Sequence, residues 1–507
     1  MNDRHSAFGI RHSGYVHRDA DNHGSRIECR SVRRAGAKFA FPSNPESRIP
    51  NAVRCGFILV VVLVVIAMMA MVAAGVLYHA RSEISVSAAG AGRHQARAAA
   101  MSGIIYTAAI LKKNGQDSSV WMDNPELFRN QFVCEDGNDK WYFTVYAPNG
   151  PEYKEPRYGV IDEGGKISIN SADEKVIQRL LARQKNGDEL ADALLDYRDS
   201  DSTPRERGAE QDYYDRLGTP YTIKNGPLTT VDELMCVKGF NAQNVYGEDA
   251  NLNGILDPNE NDGDQSFPAD DGDGKLNLGL RSLMTPITWE SRTVPQDKVD
   301  LNRATAKQLA DAGLADALAQ FILAYRGDGN QFKHPSELLE MKYTLKNDSK
   351  DVPAFKKGQE ISSGVGSAEL PAVMTKLTVR SSALLTGRIN VNAAPEEVLN
   401  ALTDTDGLSA KMVQTRASLT ADQKTNTAWL FTEGLLTADQ YKQLAPLLTT
   451  RSYQFHVFCM GFAYPSGRYC ILEAQIDLAR VNPRISYLRE ITRLGMPFAT
   501  EIEKQRH

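Results

Sequence analysis

Residues 57 to 77, FILVVVLVVIAMMAMVAAGVL, form an unbroken apolar run, and nothing else in the chain approaches that length. At roughly 1.5 Å per helical residue the run spans about 30 Å, the hydrocarbon thickness of a bilayer. It predicts a single membrane anchor near the start of the chain. Residues 1 to 56 carry ten Lys/Arg against five Asp/Glu, and basic flanks are retained in the cytoplasm. The amino terminus is therefore expected inside, with the rest of the chain across the membrane and long enough for two or three domains.

A secretory signal peptide competes for the run, because Val72-Ala73-Ala74 supplies a small-residue context. Cleavable apolar cores, however, stop at about 15 residues. A third reading is a leader removed ahead of the run, leaving the helix in the mature protein. Gly56 followed by Phe57, with a basic segment before and an apolar helix after, has the form of a type IV prepilin junction.

The net charge of −5 and pI near 6.1 argue against a nucleic-acid binder that works by neutralising phosphates. Nine His are scattered without metal-hydrolase spacing, and six Cys are too few for a disulfide scaffold. Cys29 and Cys55 fall on the cytoplasmic side of the span. Cys459 and Cys470 flank an expected turn at Tyr464-Pro465-Ser466-Gly467 and either face each other as a disulfide or remain two buried thiols.

From Arg81 to about Lys113 the chain is Ala-rich with few breakers, so the anchor and this stretch read as one helix over 57–113. Residues 114 to 169 turn to alternating and β-branched runs, KWYFTVYAP, YGVIDE and KISIN, with Gly164-Gly165 marking a hairpin turn. Residues 451 to 507 repeat that texture in SYQFHVFCMGF, RYCILEAQIDLARV and ISYLREI. The expected fold is α+β: a long amino-terminal helix packed on a small antiparallel sheet that is split by a large, mostly helical insertion.

Inside the insertion a pattern recurs: IxINSADEKVI from Ile167, VDLNRATAKQL from Val299 and INVNAAPEEVL from Ile389. Each copy reads apolar-x-apolar-Asn-x-Ala and then a residue suited to start a helix: Asp173, Thr305 or Pro395. The copies predict helical subdomains over 170–298, 299–385 and 386–450.

Residues 249 to 260, DANLNGILDPNE, match a 12-residue calcium loop of the EF-hand type. Asp249, Asn251 and Asn253 take positions 1, 3 and 5, the Ile255 carbonyl position 7, Asp257 position 9 through water, and Glu260 position 12 with both oxygens. Gly254 supplies the sharp turn, and Leu256 is expected to tie the loop to the core. Hard Ca²⁺ takes six to eight oxygens, and an extracytoplasmic loop of this charge suggests a dissociation constant on the order of 10⁻⁴ to 10⁻³ M. Asp262, Asp264, Asp270, Asp271 and Asp273 follow with no Lys or Arg between Glu248 and Asp273, and could hold a second ion.

No nucleophile elbow, P-loop or metal-hydrolase signature appears. Asp199-Ser200-Asp201 and Asp162-Glu163 have no base or nucleophile beside them in sequence and read as turn acids, so the chain is expected not to be an enzyme. The second copy, from Val299 to Met341, resembles the helix-hairpin-helix unit of competence-type DNA-binding proteins, whose Gly-x-Gly hairpin offers N–H groups to phosphate. Here the hairpins read Gly313-Leu314-Ala315 and, in the third copy, Gly407-Leu408-Ser409, each without the second glycine. A membrane-anchored DNA-capture protein is the alternative reading.

The order of features resembles the K-type minor pseudopilin family of type II secretion systems from Gly56 to about Arg493. The matches are the Gly56-Phe57 junction, GVIDEGGKISIN, LLDYRDSDS, Gly208-Ala209-Glu210 with Tyr213-Tyr214, PYTIKNGPLTTVDEL, Val237-Lys238-Gly239 and INVNAAPEEVLNAL. Most pilins carry a glutamate five residues into the mature chain; counting from Phe57 that place holds Val61, and its absence is characteristic of the K type. The resemblance implies two SAM-like helical subdomains, to which the middle copy and the acidic loop look additional. It further implies a non-enzymatic tip subunit of the inner membrane, its bulk periplasmic. Prepilin peptidase would cut it after Gly56 and methylate Phe57, and its partners would be the I-type and J-type minor pseudopilins.

Overall fold

The computed structural model describes residues 55–150, 155–290, 298–379, 385–480 and 482–498. The basic leader, with Cys29, lies outside the described residues except at its last two positions. Contacts divide the chain into two units, Met1–His79 and Ala80–His507.

Helix α1 runs from Cys55 to Asn114 without interruption. Within the first unit the side chains of residues 57 to 78 are all exposed, Phe57 at 77 % and Leu63 at 58 %. Among the described residues this is the one helix long and apolar enough to cross a membrane.

In the second unit the same helix changes texture to small residues, and Ala96, Ala99, Ala100, Ile104 and Leu111 are buried against an antiparallel sheet. The sheet comprises β1 (Gln131–Asp136), β2 (Asp139–Tyr146), β3 (Ile161–Asp162), β4 (Gln454–Tyr464), β5 (Tyr469–Asp477) and β6 (Arg484–Glu490). Its order is β1-β2-β4-β5-β6. β2 pairs with the far end of β4, from Phe458 to Tyr464, while β3 pairs with its start at Phe455 and His456. The helix sits very close to β4 because glycines face it: a Cβ on Gly461 would lie 2.3 Å from the Ala96 carbonyl oxygen and the Ala100 nitrogen.

The hairpin turn expected at Gly164-Gly165 does not form. Those residues make a buried 3-10 turn, Glu163–Gly165, capped by Asp162, and the strand residues on either side pair elsewhere. Ile167–Ser168 runs parallel to Met284–Thr285, so long-range partners take both strands away from each other. The turn at 464–467 does join β4 to β5, but the register sets Cys459 opposite Leu472 and Cys470 opposite Gly461. The two cysteines are thus offset by two residues, and both are free and buried.

The insertion consists of three subdomains built alike. Each opens on one recurring strand and closes by pairing it, in parallel, with a strand at its end: Ile167–Ser168 with Met284–Thr285, Val299–Asp300 with Leu377–Thr378, and Ile389–Asn390 with Leu448–Thr449. The recurring Asn latches a later loop. Asn302 accepts from Phe332 N at 2.9 Å and donates to its carbonyl at 2.8 Å, Asn170 does the same with Leu228, and Asn392 donates to Lys424 O.

Two helices follow each latch: α2 (Glu174–Leu181) and α3 (Gly187–Arg198), α4 (Ala306–Asp311) and α5 (Asp316–Gly327), α6 (Glu396–Leu402) and α7 (Leu408–Ser418). The second helix of each pair carries an arginine whose guanidinium returns to two carbonyls beside the Asn. Arg198 bonds Ile169 and Ala172, Arg326 bonds Leu301 and Ala304, and Arg416 bonds Val391 and Ala394. Charge-assisted bonds of this kind satisfy carbonyls that the turn into the first helix leaves unpaired.

The first and third subdomains pack through α2 and α6, with Arg179 donating to Ala401 O and pairing with Asp404. The middle subdomain hangs between them on an antiparallel ladder of Trp289–Glu290 with Leu385–Thr386. In it His334 is 8 % exposed and accepts from Ser336 N. Burial, and then the charges of Arg388 and Lys298, push its pKa down from 6.5 to about 3. As pH falls below about 6.5 the unfolded chain takes up a proton that the folded subdomain refuses, so stability falls. His334→Gln is expected to flatten the dependence of melting temperature on pH between about pH 7 and 5, read by circular dichroism on the full chain.

Candidate metal centre

The loop 249–260 follows a short helix, Ala242–Tyr246, and ends in a 3-10 turn, Pro258–Glu260. Asx-type bonds wind it tightly, as expected where Asp and Asn alternate with small residues. Asp249 accepts from Asn253 N and Gly254 N, both at 3.0 Å; Asn251 Oδ1 accepts from Asn253 N at 3.0 Å and Asn253 Oδ1 from Ile255 N at 2.7 Å. Gly254 sits at φ +68°, and its open side is filled by Pro148.

Asp249, Asn253 and Glu260 are buried, at 5 %, 5 % and 1 % exposure. The Glu260 carboxylate reaches back across the loop to accept from Ala250 N and Asp257 N, each at 3.1 Å. Asp257 Oδ2 accepts from the side-chain amides of Asn251 at 2.7 Å and Asn253 at 2.9 Å.

The side chains of Asp249, Asn251, Asn253, Asp257 and Glu260 are therefore tied into one hydrogen-bonded loop of oxygen-bearing groups, but the carboxylates of Asp249, Asp257 and Glu260 do not converge as a group of three. Burial, reinforced by the neighbouring charges of Asp249 and Asp257, raises the Glu260 pKa to about 7; burial raises Asp249 to about 6. Of the loop's apolar residues it is Ile255, at 8 % exposure, rather than Leu256 that is buried. Glu248, just ahead of the loop, is a buried carboxylate that the spacing does not flag. It locks the loop to the returning strand, its N–H donating to Asn277 O at 2.8 Å and its carboxylate accepting from Asn277 N at 3.0 Å.

The acids that follow behave differently. Asp262 accepts from Ser266, Asp270 from Asp262 N, Gly263 N and Gly272 N, Asp271 from Asp273 N, and Asp273 from Lys275 N. Each caps its own turn, and Asp264 is exposed. Together they assemble no group of three converging carboxylates among the described residues. The group that does converge is Asp199, Asp201 and Glu210.

At the hairpin of the middle subdomain Gly313 N bonds Ala310 O, Leu314 N bonds Leu309 O, and Lys376 Nζ lies on the Gly313 carbonyl. Asp316 occupies the first turn of the next helix. Two amides are spent on the preceding turn and an acid stands where phosphate would approach, which does not favour DNA binding.

A buried ionic network joins the first subdomain to the sheet. Glu473 on β5 pairs with Arg281, with Arg489 at 2.8 Å and with His456 at 2.9 Å; Glu163 pairs with Lys166 at 2.6 Å and with His456 at 3.5 Å. Burial alone would raise both glutamates, but the flanking cations hold them well below the usual carboxylate range. Glu163 and Lys166 are three residues apart, but nothing in the local sequence pairs the others, which lie far apart along the chain.

A long apolar helix that continues into a globular unit and packs there on a small antiparallel sheet defines a pilin-like subunit. Residues 160–246 match the family described as type II secretion system protein K, over its first domain, and residues 294–344 match the helix-hairpin-helix motif. No curated relative matches the chain. Among solved structures, a chain of the GspK-GspI-GspJ complex from the enterotoxigenic Escherichia coli type 2 secretion system aligns at 11 % identity and a TM-score of 0.39, covering 81 % of this chain and 99 % of that one. That likeness is too slight to bear on function. Residues 160–246 thus carry the first domain of the protein K family of type II secretion.

Gly254→Ala tests how tightly the loop is wound. A Cβ there would meet Pro148 at 2.5 Å at a backbone angle that favours glycine, so a loss of about 1–3 kcal/mol in denaturant unfolding is expected.

Proposed function

We propose that this chain is the tip subunit of a type II secretion pseudopilus and has no enzymatic role. The observation that carries the reading is the protein K domain at 160–246 on a chain in which, among the described residues, the one helix long and apolar enough to cross a membrane begins beside Gly56-Phe57. It crosses the inner membrane once, amino terminus in the cytoplasm and the bulk in the periplasm. Prepilin peptidase cuts after Gly56 and methylates the Phe57 amine.

Two physical features suit the first position in a filament. The insertion from 167 to 449 is too bulky to be buried between stacked helices. Val61 offers no carboxylate to a neighbouring amino terminus, so this subunit needs no partner ahead of it. The I-type and J-type minor pseudopilins are the subunits that follow.

Calcium is part of the proposal. Asp249, Asn251, Asn253, Asp257 and Glu260, with the Ile255 carbonyl, hold one Ca²⁺ whose charge offsets the buried carboxylates and fixes the loop against Pro148. Its role is structural.

Mass spectrometry of protein from native membranes is expected to give a mature amino-terminal peptide beginning with N-methylated Phe57. An intact leader, together with salt-sensitive duplex binding by residues 82–507, would overturn the reading in favour of DNA capture. Antibody to the insertion should label one end of each pseudopilus, and labelling along its length would exclude a tip position.

For the metal, millimolar Ca²⁺ is expected to raise the melting temperature of the full chain. Asp249→Ala should remove a large part of that rise. Absence of any rise, or a rise untouched by Asp249→Ala, would remove calcium from this loop.

A further inference from the structure

We propose that the cleft between the first and third subdomains binds an extended polypeptide segment of another protein, which adds as a strand beside Leu276-Asn277-Leu278. The inference rests on the cleft alone and not on the secretion reading. The cleft measures about 840 Å³ and lies where the end of α2, the stretch 275–279 and the end of α6 meet. Leu180, Leu276, Leu278 and Leu283 give it an apolar lining.

The first observation is a set of main-chain groups left over. Asn277 spends both of its own on one neighbour: its C=O accepts from Glu248 N at 2.8 Å, and its N–H donates to the Glu248 carboxylate at 3.0 Å. Glycines let the two stretches touch there. A Cβ on Gly247 would lie 2.1 Å from Asn277 O, and one on Gly279 would lie 2.5 Å from Gly247 N. That side of the segment is filled. In an extended chain the two groups of one residue share a side, and those of its neighbours face the other way. Leu276 and Leu278 therefore present theirs away from Glu248. Neither residue's N–H or C=O takes a bond among the described residues, and both residues line the cleft. Main-chain groups unspent beside a groove are what an added strand uses.

The second observation is the distribution of charge. The cations lining the cleft, Arg179, Arg183 and Lys275, all come from the first subdomain, and the acids, Glu397, Asp404 and Asp406, all come from the third. Arg179 and Asp404 pair with each other. Arg183, Glu397 and Asp406 are exposed and form no ion pair among the described residues. Successive side chains of an added strand point to opposite faces, so an acid and a base at neighbouring positions meet both walls. A uniformly anionic ligand such as a nucleic acid would be repelled by one of them.

A phage-displayed library of random octapeptides, selected on the full chain in detergent, supplies the probe. Enriched peptides are expected to be rich in β-branched residues and to carry an acid next to a base. A synthetic copy of one should slow hydrogen exchange across 275–279. Methylating those alternate peptide nitrogens that face the segment should weaken binding roughly tenfold, whereas methylating the others should leave it unchanged. Arg183→Glu, at an exposed position, should also weaken binding roughly tenfold, and replacing the peptide's acid by lysine should restore it.

Failure to enrich any peptide would overturn the proposal, as would binding that leaves exchange at 275–279 unchanged. Binding indifferent to backbone methylation would exclude an added strand. Equal binding to Arg183→Glu and the parent, with no preference for the lysine-bearing peptide, would exclude this cleft as the site.

Discussion

The close approach of α1 to β4 is the contact on which the second unit depends. Gly461 lets the strand lie against the helix backbone at Ala96 and Ala100, and on the helix side a Cβ on Gly103 would meet Cys459 Sγ at 2.4 Å. Small residues on both surfaces let two elements touch along their backbones, and the large side chains then fill the flanks: Trp121, Trp141, Phe143 and Phe455. β4 is also the strand that every other part of the sheet needs. β2 and β3 precede the insertion and β5 follows it, so β4 can be set in place only after the insertion has brought its two ends together.

That closure rests on a few polar atoms. Asp162, at the end of β3, accepts from Gly164 N at 2.8 Å, from Asn390 Nδ2 at 2.9 Å and from Ser452 Oγ. It therefore ties the start of the insertion to the opening strand of the third subdomain and to the residue just before β4. Burial lifts its pKa to about 6 even though these bonds pull the other way. Joining the ends of a long loop costs entropy that grows only slowly with length. A folded insertion with adjacent ends lowers that cost further. The network around Glu473 adds the orientation: Arg281 from the first subdomain meets His456, Glu473 and Arg489 from three adjacent strands, and removing any one partner would strand a buried charge.

What could be read from the sequence is what the chain encodes locally. An apolar run, an Ala-rich continuation and alternating strands each carry a period that does not depend on distant partners, so α1 and the strands at both ends were visible. The three Asn-x-Ala copies were visible as well, and the structure supplies their reason: Asn170, Asn302 and Asn392 latch a loop, and Arg198, Arg326 and Arg416 close over the turn. The arginines escaped notice because they lie far from the Asn, 24 residues on in two copies and 28 in the first, beyond the stretch that visibly recurs. The hairpin expected at Gly164-Gly165 fails for a related reason. Two glycines signal a tight turn, but whether the flanking strands pair with each other is settled by competition with β4 and with Met284–Thr285. The offset of Cys459 from Cys470 is likewise a matter of register. The loop at 249–260 could be singled out because its spacing is local, whereas the convergence of Asp199, Asp201 and Glu210 could not, since the third acid arrives only through the bend at Gly208.

The three copies make a further comparison available. Two of the three put an acid in the loop after the latching arginine: Asp199 after Arg198 and Asp328 after Arg326. In the middle copy that acid is fully employed. Asp328 accepts from Tyr343 Oη at 2.8 Å, Lys346 N at 2.7 Å and Asn347 Nδ2 at 2.7 Å, and its pKa is drawn down by those bonds. In the first copy the corresponding loop instead gathers more acids, and Glu210 among them is buried. In the third copy the helix itself continues past Arg416 through Ala417 and Ser418. One scaffold thus carries three different endings: an acid satisfied by donors, an acid cluster left with excess charge, and no acid. The frame of latch and arginine specifies how the helices pack, and it leaves the loop beyond the arginine free to differ. Only the first copy combines that loop with a second acidic loop before its closing strand. Among the described residues of the insertion, the one group of converging carboxylates lies within the stretch that matches protein K.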